Sequence, residues 1–349
     1  MNAIQRIFLF LAWLVPVAAI AQDWSQEIQR LVQNGSVLAV SEKGDILYQL
    51  NIDQNFVPAS TLKVPTALAA LKLLGPDYRF RTEFFYDSNA ILYIKGYGDP
   101  FLISEEIALI AQQLKTKGLK EVRGVVLDTG YYGPDVQVPG LAGSLNPYDA
   151  YNGALVANFN TINIVKTGKG EIQSGEPQTP LTEITYVLAK NAPVGKSRIN
   201  VALHQQEAPL YVGYLLKEFL KQQGVAVGGT VAEGKVSPQA KLILNYANSK
   251  DLKEVLKAAL KYSQNLIMNQ LFLTMGAEKL GPPASLAKGK KVVNDFLSRQ
   301  VGLKNYVMEE GSGISRKNSV SAREMDKILV RFFPHYSLLP VKDGMWVKT

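Results

Sequence analysis

The chain has 349 residues, a formal net charge of +8, no cysteine, and only two histidines, His204 and His335. Without cysteine it has no thiol nucleophile, iron–sulfur cluster or zinc–thiolate site. Two histidines argue equally against a histidine-rich metal centre. The basic residues are dispersed rather than clustered among aromatics, which fits an anionic polymer outside the cytoplasm better than a nucleic acid.

Met1–Arg6 carries one positive charge, and Ile7–Val17 is apolar but too short to span a bilayer. With the small-residue cleavage site Ala19-Ile20-Ala21, these features predict a signal peptide over 1–21 and a mature chain beginning near Gln22. Export to the periplasm is expected, with at most peripheral membrane contact. Gln26–Gln33 then reads as a short helix, and Ser36–Ser41 and Ile46–Asn51 as two strands joined by a hairpin at Glu42-Lys43-Gly44-Asp45. An apolar helix follows Ser60 and runs to Leu74-Gly75-Pro76. Tyr78–Tyr86, Ala90–Lys95 and Val122–Leu127 read as strands, with an amphipathic helix from Ser104 to Lys117 between the last two. Gly130–Gly153, rich in Gly, Pro and Asn, reads as irregular loop. Val156–Lys166, Glu183–Leu188, Ile199–Leu203 and Val225–Val231 read as further strands, and Leu210–Gln223 as a helix. Beyond Asn248-Ser249 the pattern is helical: Leu252–Ser263, Leu266–Gly276, Ser285–Val301 and Ser321–Phe333. This predicts an α/β (α+β) protein in which a strand-rich insertion, 76–249, separates 22–75 from 250–349, the two parts of one catalytic domain.

Ser60-Thr61-Leu62-Lys63 places a hydroxyl and an amine on one helix face near the helix N-terminus. An adjacent amine can replace histidine as the base that activates a serine. The spacing recurs at Ser285-Leu286-Ala287-Lys288, where Ser285 follows Pro282-Pro283 and reads as a helix cap. Ser263-Gln264-Asn265 lies between two helical runs, whereas the similar Ser144-Leu145-Asn146 precedes Pro147 and reads as turn chemistry. Lys348-Thr349 closes the chain, and the earlier Lys166-Thr167-Gly168 reads as a strand ending in a glycine turn.

In this order the three elements resemble the Ser-x-x-Lys, Ser-x-Asn and Lys-Thr-Gly signature of penicillin-recognising serine enzymes. The chain is similar in detail to the low-molecular-mass class C penicillin-binding proteins, which are D-alanyl-D-alanine carboxypeptidases and endopeptidases. Gly96–Leu102, Ala154–Asn160 and Glu310-Gly311-Ser312-Gly313-Ile314-Ser315-Arg316 resemble segments of that family, as does the large insertion between the first two motifs. The resemblance implies a transpeptidase/beta-lactamase-like domain in which Ser60 is the nucleophile and Lys63 the general base. A partly buried amine beside another cation loses its proton more readily, and Lys348 is the expected neighbour. By the same resemblance Ser263 relays a proton to the leaving amine, and Asn265 hydrogen-bonds Lys63 and the substrate. Lys348 and Thr349 hold the substrate's terminal carboxylate. Peptidoglycan peptides ending in D-Ala-D-Ala are the implied substrate and beta-lactams the implied covalent inhibitors, and the implied mechanism needs no metal or organic cofactor. Asp149 and Arg316 are weaker candidates for substrate contact: Asp149 also reads as a turn residue of Asn146-Pro147-Tyr148-Asp149, and Arg316 as a surface arginine.

The sequence departs from the family pattern at its end. The glycine expected after Thr349 and the following strands of the catalytic sheet are absent. A truncated or split gene product, or a part of a longer protein, is therefore expected, weakly active or inactive as it stands, and the alternative function is a wall-binding relative that keeps the fold without turnover.

Overall fold

The computed structural model describes residues 16–134, 136–202, 204–342 and 345–346. Helix α1 (Pro16–Leu31) leads into a two-stranded antiparallel sheet of β1 (Val37–Val40) and β2 (Ile46–Leu50). Strand β3 (Asn55–Phe56) precedes a 3-10 turn, Ala59–Leu62, and helix α2 (Lys63–Leu73). Pro65 is tolerated in α2 because it lies in the first turn, where its missing N–H would have had no helical partner.

The inserted residues are built on a five-stranded mixed sheet. Its strands are β4 (Arg81–Tyr86), β5 (Ile91–Gly96), β7 (Gly124–Asp128), β12 (Val231–Glu233) and β13 (Lys241–Ala247), in the order β12-β7-β5-β4-β13. Helix α3 (Ser104–Thr116) sits between β5 and the short β6 (Glu121–Val122). A second sheet, β10-β8-β9, comprises β8 (Thr161–Lys166), β9 (Ile172–Ser174) and β10 (Gly195–Asn200). Helix α4 (Glu183–Ala189) precedes β10, and α5 (Leu210–Gln222) precedes β11 (Ala226–Val227), which pairs with β6. Alternate residues of the strands, such as Leu92, Ile94, Val125 and Leu127, join Ile107, Leu114, Leu215 and Phe219 of α3 and α5 in one apolar core.

Helices α6 (Leu252–Lys261), α7 (Asn265–Leu280), α8 (Leu286–Phe296) and α9 (Ala322–Phe332) follow, with β14 (Tyr306–Val307) and β15 (Ser319–Ser321) between the last two. A second core joins them to α2: Leu68 and Leu71 pack with Leu256, Leu271, Phe272, Val293, Ile328 and Phe332. Residues before and after the insertion therefore share one core, which takes in Phe80 of the insertion, while the insertion has a larger core of its own and meets α7 in small clusters such as Ala150 and Val156 with Leu266. The two flanking parts also pair directly, where β15 joins both β3 and β14.

The structure departs from the local reading at four places. Glu183–Leu188 is helical, because Thr182 and Thr185 form a capping box. Its apolar residues Ile184 and Leu188 reach the core at helical spacing while Tyr186 and Val187 stay exposed. The strand read from Val156 begins only at Thr161, since Asn158, Phe159 and Asn160 all have positive φ (46°, 60° and 50°) and break any extended run. Lys241–Ala247, unassigned from sequence, is an edge strand on β4 that buries Leu244 and Tyr246. The predicted Ile199–Leu203 strand lies earlier, at Gly195–Asn200.

Candidate active site

Ser60 lies in the 3-10 turn and Lys63 is the first residue of α2, so the pair does not share one regular α-helix. The turn brings them together more directly, because side chains three residues apart eclipse in 3-10 geometry. Lys63 Nζ donates to Ser60 Oγ at 3.0 Å. The Lys63 side chain is 1% exposed, so its amine is held among protein groups alone.

The α6–α7 junction supplies the next two groups. Ser263 takes a left-handed conformation, φ 51°, after the last turn of α6, and the Gln264 N–H closes that turn onto the Ala259 carbonyl. The reversal aims Ser263 Oγ at Ser60 Oγ, 3.0 Å away. Asn265 opens α7, and its Oδ1 accepts from Lys63 Nζ at 2.7 Å. Ser60, Lys63, Ser263 and Asn265 thus form one hydrogen-bonded cluster, although Lys63 and Asn265 are 202 positions apart.

The cluster has a fifth member that no side-chain motif announced. The backbone carbonyl of Ser312 accepts from Lys63 Nζ at 2.8 Å. The loop carrying it is held by a buried polar hub. Glu310, 0% exposed, accepts from the N–H groups of Ser312 and Gly313 and from Asn318 Nδ2, each at 2.7 Å, and from Ser312 Oγ at 2.6 Å. Asn269, one turn along α7 from Asn265, accepts the Gly311 N–H at 2.7 Å, and Thr66 Oγ1 donates to the Gly311 carbonyl at 2.7 Å. Gly313 (φ 86°) lies so close to the nucleophile turn that a Cβ there would come within 1.8 Å of the Ala59 carbonyl oxygen. The segment Glu310–Arg316 resembles the family's in sequence without giving Ser312 a role; a further signal is a polar residue in each of two apolar helices, Thr66 and Asn269.

Neither weaker candidate hydrogen-bonds to Ser60, Lys63, Ser263 or Asn265. Asp149 is buried, and its carboxylate accepts from the Ala142 N–H and Ser144 Oγ, holding the loop that its turn reading implied. Arg316 is exposed beyond Ser315. Lys348 and Thr349 lie outside the described residues, as do Met1–Val15 of the predicted signal peptide. The competing motifs resolve as read: Ser285 caps α8 by accepting the Lys288 N–H, and Ser144 accepts the Asn146 N–H in a turn. Lys166 ends β8, with its Nζ on the Lys190 and Ala192 carbonyls. Among the described residues no helix is long and apolar enough to cross a membrane.

The insertion is fixed to α7 through buried amides. Asn152 Nδ2 donates to the Leu266 carbonyl at 2.9 Å and to Gln270 Oε1 at 2.8 Å, and Gln270 Nε2 donates to the Gly153 carbonyl. Movement of the insertion would therefore be felt at the helix that carries Asn265.

The chain is 28% identical over 337 residues to a D-alanyl-D-alanine carboxypeptidase of Actinomadura sp. (strain R39), covering 83% of this chain but 62% of that protein. It is 24% identical over 351 residues to D-alanyl-D-alanine carboxypeptidase DacB of Haemophilus influenzae, covering 88% of this chain and 72% of the relative. The crystal structure of penicillin binding protein 4 from Haemophilus influenzae superposes with a TM-score of 0.71 at 21% identity, covering 90% of this chain and 79% of that one. That match shows a penicillin-binding-protein fold with its insertion. The profile of the D-Ala-D-Ala carboxypeptidase 3 (S13) family matches residues 16–184 and 156–338. The chain therefore belongs to that family, the low-molecular-mass class C penicillin-binding proteins.

Proposed function

We propose that the protein is a serine-type D-alanyl-D-alanine carboxypeptidase and endopeptidase that cleaves peptidoglycan stem peptides through an acyl-enzyme on Ser60. The observation that carries this reading is the set of acceptors that Lys63 Nζ meets among the described residues: Ser60 Oγ, Asn265 Oδ1 and the Ser312 carbonyl. Asn265 Oδ1 and the Ser312 carbonyl can only accept, so they hold two N–H groups whatever the charge of the amine. An amine that has given up its third proton turns its lone pair to Ser60 Oγ, where it can take the hydroxyl proton as Ser60 attacks.

Attack on the carbonyl of the penultimate D-Ala forms a C–O bond and leaves the negative charge on the former carbonyl oxygen. The Ser60 N–H is the donor at hand for that oxyanion, and one such donor is worth about 3–4 kcal/mol. Ser263 Oγ, 3.0 Å from Ser60 Oγ, passes the proton toward the amine that departs as the C–N bond breaks. Water then attacks the ester, Lys63 again takes the proton, and Ser60 is released. Lys348 and Thr349 are assigned to the substrate's terminal carboxylate. Beta-lactams acylate Ser60 by the same attack on their strained amide. The reading places the enzyme in the periplasm, exported by residues 1–21, and takes 22–75 with 250–349 as the catalytic domain and 76–249 as the insertion. The separation of the two apolar cores supports that division.

Labelling with a fluorescent penicillin tests the proposal. A covalent label lost on Ser60→Ala, together with release of D-alanine from a D-Ala-D-Ala peptide, is the expected result. Absence of both from the wild-type protein overturns it and favours a binding protein without turnover.

A further inference from the structure

A cleft of about 540 Å³ lies between the inserted residues and the α6–α7 junction. Gln264 lines it, the residue between Ser263 and Asn265, so the cleft adjoins the Ser60 cluster. Its apolar lining includes Phe101 and Phe159, which meet edge to face with centroids 5.8 Å apart, and Tyr262, which is 64% exposed. Phe159 is held there in an unfavourable left-handed conformation, φ 60°, between two further residues with positive φ. Buried side chains fix this segment: Asn158 Oδ1 accepts the Ser104 N–H at 2.8 Å, and Asn160 Nδ2 donates to the Tyr151 carbonyl at 2.8 Å. Strain retained by so many bonds marks a segment shaped for more than packing.

Arg198 brings a positive charge to the same cleft. Its Nε donates to Thr161 Oγ1 at 3.0 Å, while its two Nη groups have no hydrogen-bond partner and no ion-pair partner among the described residues. Arg198 is solvent-accessible, yet desolvation lowers its pKa below the ordinary guanidinium value, against the opposing pull of the Glu176 carboxylate, which acts on it through space without closing to an ion pair. The carboxylate of Glu176 is already engaged by Asn163 Nδ2 and Thr179 Oγ1. With Glu105 and Glu176 also lining the cleft, a free multivalent anion such as phosphate would be repelled. A single carboxylate that meets the Nη groups of Arg198 directly is the anion that one guanidinium can match.

We propose that this cleft is a second binding subsite for a peptide segment with a free carboxylate, which Arg198 binds while Phe101, Phe159 and Tyr262 cover the adjoining backbone. The inference rests on the peptidase reading for its ligand. The segment is the part of the stem peptide upstream of the scissile bond, where a γ-linked D-glutamyl residue leaves its α-carboxylate free. Arginine suits this role because its planar fork matches a carboxylate bidentately.

Calorimetric titration of the Ser60→Ala protein, which binds without turnover, tests the subsite with two probes. They are the peptide Ac-L-Ala-γ-D-Glu-L-Lys-D-Ala-D-Ala and the same peptide amidated at the D-Glu α-carboxylate. The free acid is expected to bind about tenfold more tightly, a typical effect for a charge-assisted hydrogen bond. Arg198→Ala in the same background is expected to abolish the difference, whereas Tyr262→Ala weakens both peptides alike. Should Arg198→Ala fail to fold, Arg198→Gln, which keeps a donor for Thr161 Oγ1, is read in its place. Equal affinity for the two peptides, no measurable binding of either, or a preference that survives loss of Arg198 overturns the proposal. Penicillin labelling of the wild-type protein reads the peptidase proposal separately: a carboxylate preference without labelling sinks that reading and leaves the subsite.

Discussion

Glu310→Gln is the substitution that best separates the scaffold of the site from its chemistry. The carboxylate is fully buried and holds the loop whose Ser312 carbonyl meets Lys63. Its Oε2 accepts from the Ser312 N–H and Oγ, and its Oε1 from Gly313 N–H and Asn318 Nδ2. An amide nitrogen is least harmful at the Oε2 position, where the Ser312 hydroxyl can turn to accept. The Ser312 N–H is then left facing a donor, and a buried unpaired group costs about 1–3 kcal/mol. The bonds that persist at the Oε1 position lose their charge assistance, about 1 kcal/mol each. The expected loss is about 3–5 kcal/mol in urea unfolding, with penicillin acylation slowed in the protein that remains folded. Glu310→Ala should be no milder, since it leaves all these donors unpaired. A change below about 1 kcal/mol would refute the reasoning, because it would mean that the carboxylate is not organising the loop.

Gly313→Ala should slow acylation by about a hundredfold, the usual scale for a misplacement near 1 Å, because its Cβ cannot sit 1.8 Å from the Ala59 oxygen beside Ser60. Stopped-flow labelling with a chromogenic penicillin measures it, and a rate within threefold of wild type counts against the close approach. Lys63→Met should reduce acylation about 10²–10⁴-fold, the range for a general base, and the same assay with unchanged circular dichroism distinguishes chemistry from unfolding. Burial pushes the Asp99 carboxyl up to about 6, against hydrogen bonds from Asn248 and Phe101 that pull it down. The folded state therefore binds the proton more tightly than the unfolded chain, so stability from this group is present below pH 4 and lost as pH rises through about 6. The expected loss is about 3 kcal/mol at about 1.4 kcal/mol per unit. It is read as a difference between wild type and Asp99→Asn in urea unfolding from pH 4 to 7. Parallel curves for the two proteins would show that Asp99 is not the group responsible.

Ser60 and Lys63 were legible in the sequence because three positions along one chain segment fix their proximity whether the turn is α or 3-10. Ser263 and Asn265 were legible only by their order relative to that pair, since nothing local in Lys261–Met268 says which helix they face. The Ser312 carbonyl was illegible for a different reason: a backbone acceptor carries no residue type, and its position depends on Glu310, Asn269 and Thr66 together. The same contrast holds for the fold. The amphipathic helices α5 and α6 were read within two residues, because periodic burial is written into side-chain type. Glu183–Ala189 misled because Ile, Thr, Tyr and Val favour strands, and a capping box at Thr182 outweighed that preference.

The backbone conformations at the site explain why local rules fail there. Ala59, Ser263 and Gly313 adopt φ of 47°, 51° and 86°, and each adjoins a group that touches or supports the Ser60–Lys63 pair. For Gly313 the left-handed region carries no side-chain penalty, but for Ala59 and Ser263 it costs of order 1–2 kcal/mol each. Neither residue is one that propensity would choose for such a position. Ser263 keeps it because its hydroxyl meets Ser60 only if the chain reverses between α6 and α7. Ala59 keeps it because its carbonyl is wedged against Gly313, where the approach leaves no room for a Cβ. The strain at both places is sustained by the core that α2, α6 and α7 share. The two parts of the chain that flank the insertion thus stabilise a geometry that neither would hold alone.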